Sequence, residues 1–425
     1  MKEVIVNKAH LEERNESSMI TLIIWLFFCF TQMGNFEINK YLCHAVWFVW
    51  LASLILNNNS AFKIMTRKKR YLYLWGFLTF YFLSSSIAVG IPVAINRVIA
   101  LLELSSPILM FDIYKRSSKK LKTFTLLSFV AIVVYNTIDL ISTMNYYGAV
   151  GLRNVINIGA GDYLRNAFNW AYSWIFITMA SIILFRTIYT QRGKKWLLLI
   201  ALAFLLTGVF VVVRSLFMIA ILMMLTGCVL VFFYGKRRWF LKASVALIVG
   251  LIVFVTSYSV VITQIGSFEN GGEFLTERTE EVYHTIIGNQ GRAHDLNARN
   301  DLSLISISTF LKNPLFGINH EVSEFDSVQY TMVGDHSEWI DNLALYGVFS
   351  LLLLAFLIKS AKFGSLQSTT IYIMYFITGL FNPIWYFPQN VVVFFFLPIL
   401  FSLYAEWQQR GYPQISCTTS RYSRN

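Results

Sequence analysis

The sequence predicts an all-α polytopic membrane protein of about twelve transmembrane helices, with one large external loop that carries short helices of its own. Three observations lead there. The 425 residues are 56% hydrophobic and only 14% charged, too little polar surface for a water-soluble globule of this size. The apolar residues fall into runs of roughly 20, the length at which a helix crosses the hydrocarbon core with every backbone group bonded internally. The formal charge of +12 sits in short clusters between those runs rather than on one soluble face. That distribution speaks against a nucleic-acid surface and for membrane topology.

The first apolar run begins near Met19, behind a mixed-charge stretch with Glu3, Glu12, Glu13, Arg14 and Glu16. No small-residue cleavage site follows, so it reads as a spanning helix rather than a signal peptide. In order, the expected spans are 19–36, 41–58, 71–91, 94–113, 123–142, 168–188, 196–213, 215–234, 241–262, 341–358, 367–382 and 388–406. Residues 196–234 form one apolar run about twice as long as a bilayer needs. Arg214-Ser215 is its only polar break, and the chain must reverse there. Residues 263–340 are the long polar segment. They divide the chain into a bundle of nine spans (1–262), the external loop (263–340), and three spans with a tail (341–425).

Within the loop, "TERTEEVYHTIIG" (276–288) opens with Thr and acidic residues and stops at Gly288. "RNDLSLISISTFLKNP" (299–314) carries Leu302, Ile305 and Thr309, and also Leu304, Ile307 and Leu311, at helical spacing before Pro314 ends it. Both are expected to be helices lying across the mouth of the bundle like a lid. Cys29, Cys43 and Cys228 lie in or beside apolar runs and Cys417 in the tail, with no CxxC spacing, so neither a disulfide framework nor a zinc site is indicated.

With a cytoplasmic N-terminus, the clusters "KIMTRKKR" (63–70), "KRSSKKLK" (115–122), "RGKK" (192–195) and "GKRRW" (235–239) all fall inside, as does the C-terminal tail. The positive-inside rule is then satisfied. The basic residues left outside are Lys40, Arg97, Arg153, Arg165, Arg214, Arg278, Arg292, Arg299 and Lys312, nearly all arginine. Arginine grips phosphate with a planar fork, so as a group these residues point to an anionic ligand. Any single one serves equally to satisfy a loop carbonyl or an external carboxylate. Arg292 and Arg299 are spaced to share a face two turns apart if their segment is helical.

The stretch "GDHSEWIDNLALYGVFS" (334–350) marks the entry to the tenth span. Asp335 followed by Glu338 is a capping-box pattern. It would set His336 in the first helical turn at the membrane surface, as a candidate proton acceptor or simply as a cap. Glu103 and Asp139 fall inside apolar spans, where ionisable groups mark ion or substrate paths or pair with polar neighbours such as Arg97. His320, Glu321, Glu324 and Asp326 match no defensible metal-ligand spacing.

Three segments resemble the O-antigen polymerase and ligase superfamily. "FLKNPLFGIN" (310–319) is similar to its Pro-Leu-Phe-Gly-x-Gly turn, and "DHSEWIDNLALYGVFS" (335–350) to its His-Asn/Ser-x-aromatic-Leu followed by a Gly-hydrophobic-x-Gly helix start. "VVVRSLF" (211–217) is similar to its Ser-Arg between two spans. Asn319 and Ser350 stand where that pattern has glycine, and Arg214 precedes its serine.

The resemblance implies a Wzy-like glycosyltransferase of the cytoplasmic (inner) membrane, polymerising undecaprenyl-pyrophosphate-linked oligosaccharide repeat units into O-antigen or capsule. A ligase of the same superfamily is the alternative. In that chemistry fixed cations stabilise the leaving pyrophosphate and a base takes the acceptor's proton. His336, Arg214 and Arg299 are then the catalytic candidates. Arg97, Arg153, Arg165, Arg278, Arg292, Trp339 and Tyr330 are the candidates for substrate binding. "NPIWYFPQN" (382–390) could stack on sugars, although Trp385 and Tyr386 read first as an interfacial aromatic belt. No cofactor is expected, because the sugar–pyrophosphate bond carries the energy, and no GxxxxGK[ST] motif is present. Expected partners are the lipid-linked oligosaccharide, membrane lipids and a chain-length regulator, with no nucleic acid. The rival class is a lipid-linked oligosaccharide flippase. The absence of similarity between the two halves, together with one outsized loop, speaks against it.

Overall fold

The computed structural model describes residues 21–26, 37–57, 60–115, 117–147, 161–190, 195–234, 238–266, 272–287, 294–319, 333, 337–361 and 369–411. Among the described residues every regular element is a helix, with no strand. The helices are α1 (Glu37–Asn57), α2 (Ser60–Arg67), α3 (Lys69–Val89), α4 (Ile91–Tyr114), α5 (Lys119–Tyr147), α6 (Gly161–Thr190), α7 (Lys195–Arg214), α8 (Met218–Phe233) and α9 (Trp239–Thr256). They continue as α10 (Tyr258–Gly266), α11 (Gly272–Ile286), α12 (His294–Lys312), α13 (Glu338–Tyr346), α14 (Ser350–Ala361), α15 (Thr369–Phe381), α16 (Phe387–Val391) and α17 (Leu397–Gly411).

Eight helical stretches are long and apolar enough to cross a membrane, and Leu42–Leu56, Met218–Phe233 and Thr369–Phe381 are shorter apolar helices. Each coincides with an expected span. The remaining one, 19–36, is described only over the helical residues 21–26. The chain is a multi-pass membrane protein by the character of these helices. α9 makes the physical point. Val245, Ile248, Val249, Leu251, Ile252 and Val253 are all exposed, so almost none of this apolar helix is covered by protein. Only a lipid solvent makes such a surface stable.

The core sits where α6 packs against the last span. Trp174, Ile175, Phe176 and Met179 of α6 are buried with Val392, Val393, Phe394, Phe395 and Phe396, a π-helical stretch joining α16 to α17. Two glycines bring the α7–α8 hairpin onto α6. A Cβ on Gly208 would stand 2.1 Å from Thr178 Oγ1, and one on Gly227 2.6 Å from Met179 Sδ. Small residues at such contacts let membrane helices approach closely.

The reversal between α7 and α8 falls where the polar break predicted it. α7 ends at Arg214, and Leu216 turns the chain with φ 57°. Ser215 Oγ donates to Val212 O at 2.7 Å, satisfying one of the helix's terminal carbonyls. Both loop helices are present as α11 and α12. α12 begins at His294, ahead of the expected 299, because "HDLNA" contains no Gly or Pro to stop it.

Candidate functional site

The site is built at the end of the bundle where α13 begins. Ser337 is the N-cap: its Oγ accepts the Ile340 N–H at 3.3 Å, while Asp341 Oδ2 accepts the Ser337 N–H at 2.9 Å. The reciprocal cap therefore pairs Ser337 with Asp341, not Asp335 with Glu338 as the pattern suggested. Asp341 Oδ1 also accepts from Ser306 Oγ at 2.7 Å, tying α12 to the start of the span. His336 accordingly precedes the cap instead of occupying the first turn, and it lies outside the described residues. So do Tyr330, Arg153 and Arg292, and the side chains of Arg165 and Arg299. The expected Arg292/Arg299 face lies in part outside the described residues, which carry α12 from His294 onward.

Glu338 is released from capping because other donors claim it. Residues 383–386, between α15 and α16, follow no helix, so the N–H groups of Ile384 and Trp385 lack helical acceptors. Glu338 Oε2 accepts from Ile384 N at 3.1 Å and Trp385 N at 3.0 Å, and Oε1 accepts from Asn342 Nδ2 at 2.8 Å. The carboxylate thus clamps a break in the last part of the bundle to the first turn of α13. Sequence reasoning missed this role, which depends on a contact 46 residues away.

At the other end of α13 the two segments quoted for the resemblance meet. α13 gives way to a 3₁₀ turn at Gly347–Phe349, and the Pro314–Asn319 turn docks there, backbone to backbone. Ile318 N donates to Ala344 O at 3.1 Å, Asn319 N to Leu345 O at 2.8 Å, and Val348 N to Pro314 O at 2.9 Å. Gly317 (φ +66°) and Gly347 (φ +58°) are required on two counts: their φ is left-handed, and a Cβ would lie 2.3 Å from Leu345 O or 2.4 Å from Leu315 O. Asn319, in the place of a glycine, has φ 60°, the left-handed conformation that asparagine tolerates better than most side chains. Ser350, the other departure, donates its Oγ to Gly347 O at 2.7 Å and so secures the turn.

The described arginines have separate anchors. Arg97 on α4 reaches this joint, its Nη1 donating to Asn319 O at 3.4 Å. Arg214, half-buried at the end of α7, donates to Asn145 Oδ1 at 2.7 Å and lies over the Phe210 ring. Arg278 pairs with Glu281 one turn along α11 at 2.7 Å, the local-pairing alternative. Trp339 acts as a brace: its indole N–H donates to Phe376 O at 2.8 Å, and the ring sits on Gly379, where a Cβ would come within 2.5 Å of it.

Two further expectations are corrected. Trp385 is not part of a lipid-facing aromatic belt, because it is buried in the core cluster under the surrounding helices. Glu103 pairs not with Arg97 but with His44 of α1, 2.7 Å from its Nδ1. The chain matches no family profile, no curated protein and no solved structure. What fold and site together define is an all-helical multi-pass membrane protein with a helical loop bonded to the ends of one span.

Proposed function

We propose that this protein is a membrane glycosyltransferase that polymerises undecaprenyl-pyrophosphate-linked oligosaccharide repeat units, on the outer face of the cytoplasmic membrane, into O-antigen or capsular polysaccharide. The topology in this proposal has twelve spans, both termini cytoplasmic and residues 263–340 outside. The observation that carries it is the joint between "PLFGIN" and "LYGVFS", with both glycines in left-handed conformations and Arg97 donating to its last residue. Residues quoted separately for one family pattern belong to one structural unit.

In the proposed reaction the acceptor oxygen bonds to the anomeric carbon of the donor. The bond from that carbon to the phosphate oxygen breaks, and the lipid pyrophosphate leaves with the electron pair. Arg214, Arg299 and the substrate-binding arginines offset its developing charge. His336, adjacent to the α13 cap, takes the acceptor's proton.

The test is purified protein in lipid nanodiscs, supplied with lipid-linked repeat units and no nucleotide. A ladder of repeat-unit multiples is expected, and it separates polymerisation from transfer of a finished glycan to a different acceptor. His336→Ala should lower the rate by roughly 10²- to 10⁴-fold without loss of folded protein. A wild type that makes no ladder would overturn the polymerase proposal. A wild-type rate in His336→Ala would remove only the base.

A further inference from the structure

At the end of the bundle opposite the start of α13, one buried carboxylate gathers three cations. Asp112, in the last turn of α4, has a fully buried side chain. Its Oδ2 accepts from Arg70 Nη2, itself buried, and from Tyr71 Oη at 3.2 Å. Its Oδ1 meets two ammonium groups, Lys68 Nζ at 2.7 Å and Lys115 Nζ at 3.3 Å. These two cations therefore stand no further apart than both distances together, about 6 Å. Unlike Arg70, both lysines are partly open to the surroundings, at 35% and 28% exposure.

The spans Lys69–Val89, Ile91–Tyr114 and Lys119–Tyr146 all end at this cluster, which puts it at the level where hydrocarbon gives way to lipid headgroups. The corner before α3 is fixed there by α2: Ile64 and Met65 pack on the core, Trp75 Nε1 donates to Met65 O at 3.3 Å, and Lys63 and Arg67 are left exposed. Basic loops on one side of a membrane follow from topology alone. Topology does not require two ammonium groups on one oxygen of a carboxylate that a buried arginine already balances, against their mutual repulsion. An anion between them relieves it. Leu72 on α3 and Phe124 and Leu127 on α5 lie within about two turns of the cluster along the spans, and all three are exposed apolar surface.

We infer that Lys68 and Lys115 form a seat for the phosphate of an anionic phospholipid in the adjacent leaflet, with its acyl chains along the exposed faces of α3 and α5. Charge-assisted bonds of about 2.8 Å from the two ammonium groups reach neighbouring oxygens of one phosphate across that spacing. Asp112 holds both lysines from behind. The seat does not depend on the glycosyltransferase reading, and Lys359, at the far end of the span that α13 begins, marks its side of the bundle by donating to Tyr73 Oη in α3.

Native mass spectrometry of the purified full chain, titrated in detergent with phosphatidylglycerol or phosphatidylcholine, tests the seat. The wild type should retain phosphatidylglycerol in preference. Lys68→Gln with Lys115→Gln leaves Arg70 on Asp112 and should weaken that binding about 10- to 30-fold, the worth of two cations at a membrane surface. Lys195→Gln with Lys242→Gln removes two exposed lysines from the starts of α7 and α9 and should change it less than about 3-fold. The single variant Lys115→Gln carries the same test at about 3- to 5-fold if the double variant folds poorly. No preference in the wild type, or an equal loss in both double variants, overturns the seat in favour of diffuse charge. Lowered thermal stability of the Lys68/Lys115 variant with unchanged lipid retention also overturns it, because the lysines then serve Asp112 alone. A third result would do so as well: stabilisation by inorganic phosphate in phosphatidylcholine nanodiscs, lost in that variant while lipid retention is unchanged, assigns the pair to a soluble phosphate.

Discussion

Replacing Glu338 by alanine removes the acceptor of three donors at once: Ile384 N at 3.1 Å, Trp385 N at 3.0 Å and Asn342 Nδ2 at 2.8 Å. The two N–H groups belong to backbone outside any helix, so nothing intrahelical replaces the lost bonds. Each orphaned buried donor costs about 1–3 kcal/mol, or about 2–6 kcal/mol for the pair. Asn342 is half-buried and turns toward solvent, adding little. Glu338→Gln behaves differently. Its single carbonyl oxygen still takes both N–H groups, and its NH2 faces Asn342, whose amide flips to offer Oδ1. What remains is the difference between a charged and a neutral acceptor, about 1 kcal/mol. The expected order of stability is wild type, then Gln, then Ala, read by equilibrium unfolding in mixed detergent micelles. An alanine variant as stable as the wild type would refute the clamp. A glutamine variant as damaged as the alanine would show that charge, not hydrogen-bond acceptance, is what matters there.

Gly317→Ala and Gly347→Ala should each cut the yield of folded protein sharply, because both φ values are left-handed and the new methyl overlaps backbone at 2.3–2.4 Å, whereas Asn319→Gly should be tolerated; size-exclusion profiles from whole membranes distinguish these outcomes. A cysteine at position 292 is expected to react with a membrane-impermeant reagent and one at 237 not to, and the reverse pattern would invert the proposed topology. Arg214→Lys keeps the charge but loses the planar fork, so polymer synthesis in cells should collapse at normal protein abundance. Survival of synthesis would mean that Arg214 serves Asn145 and not a phosphate.

Much of the architecture was legible in the sequence because lipid leaves the backbone few options. Once an apolar run exceeds the bilayer thickness, only helices and their breaks remain to be placed. Arg214-Ser215 and Pro314 therefore marked a reversal and a helix end correctly. Pairings across the fold were not legible. Acidic residues at 335, 338 and 341 offer more than one capping register, and the choice was made by Ile384 and Trp385, which draw Glu338 away and leave Ser337 and Asp341 to close the cap. Trp385 was misplaced for a related reason. An aromatic residue near a span end looks alike in sequence whether lipid or other helices cover it. The glycines of the joint were visible as a motif, but that they press against each other's segment depends on how α12 and α13 lie together.

The joint between residues 314–319 and 344–348 uses main-chain atoms almost throughout, and Leu315 and Phe316 are left exposed beside it. Its register is therefore indifferent to most side chains. Asn319 is pinned at Leu345, and Ser337 is pinned at the opposite end of the same helix through Ile340 and Gly379. The chain from 320 to 336 thus leaves and returns at two fixed posts about 12 Å apart along α13. Between those posts Val333 is buried against Ala344 and Leu345, a third point of attachment on the same helix, so exchanges of the intervening residues that keep Val333 are expected to leave the frame of the bundle in place.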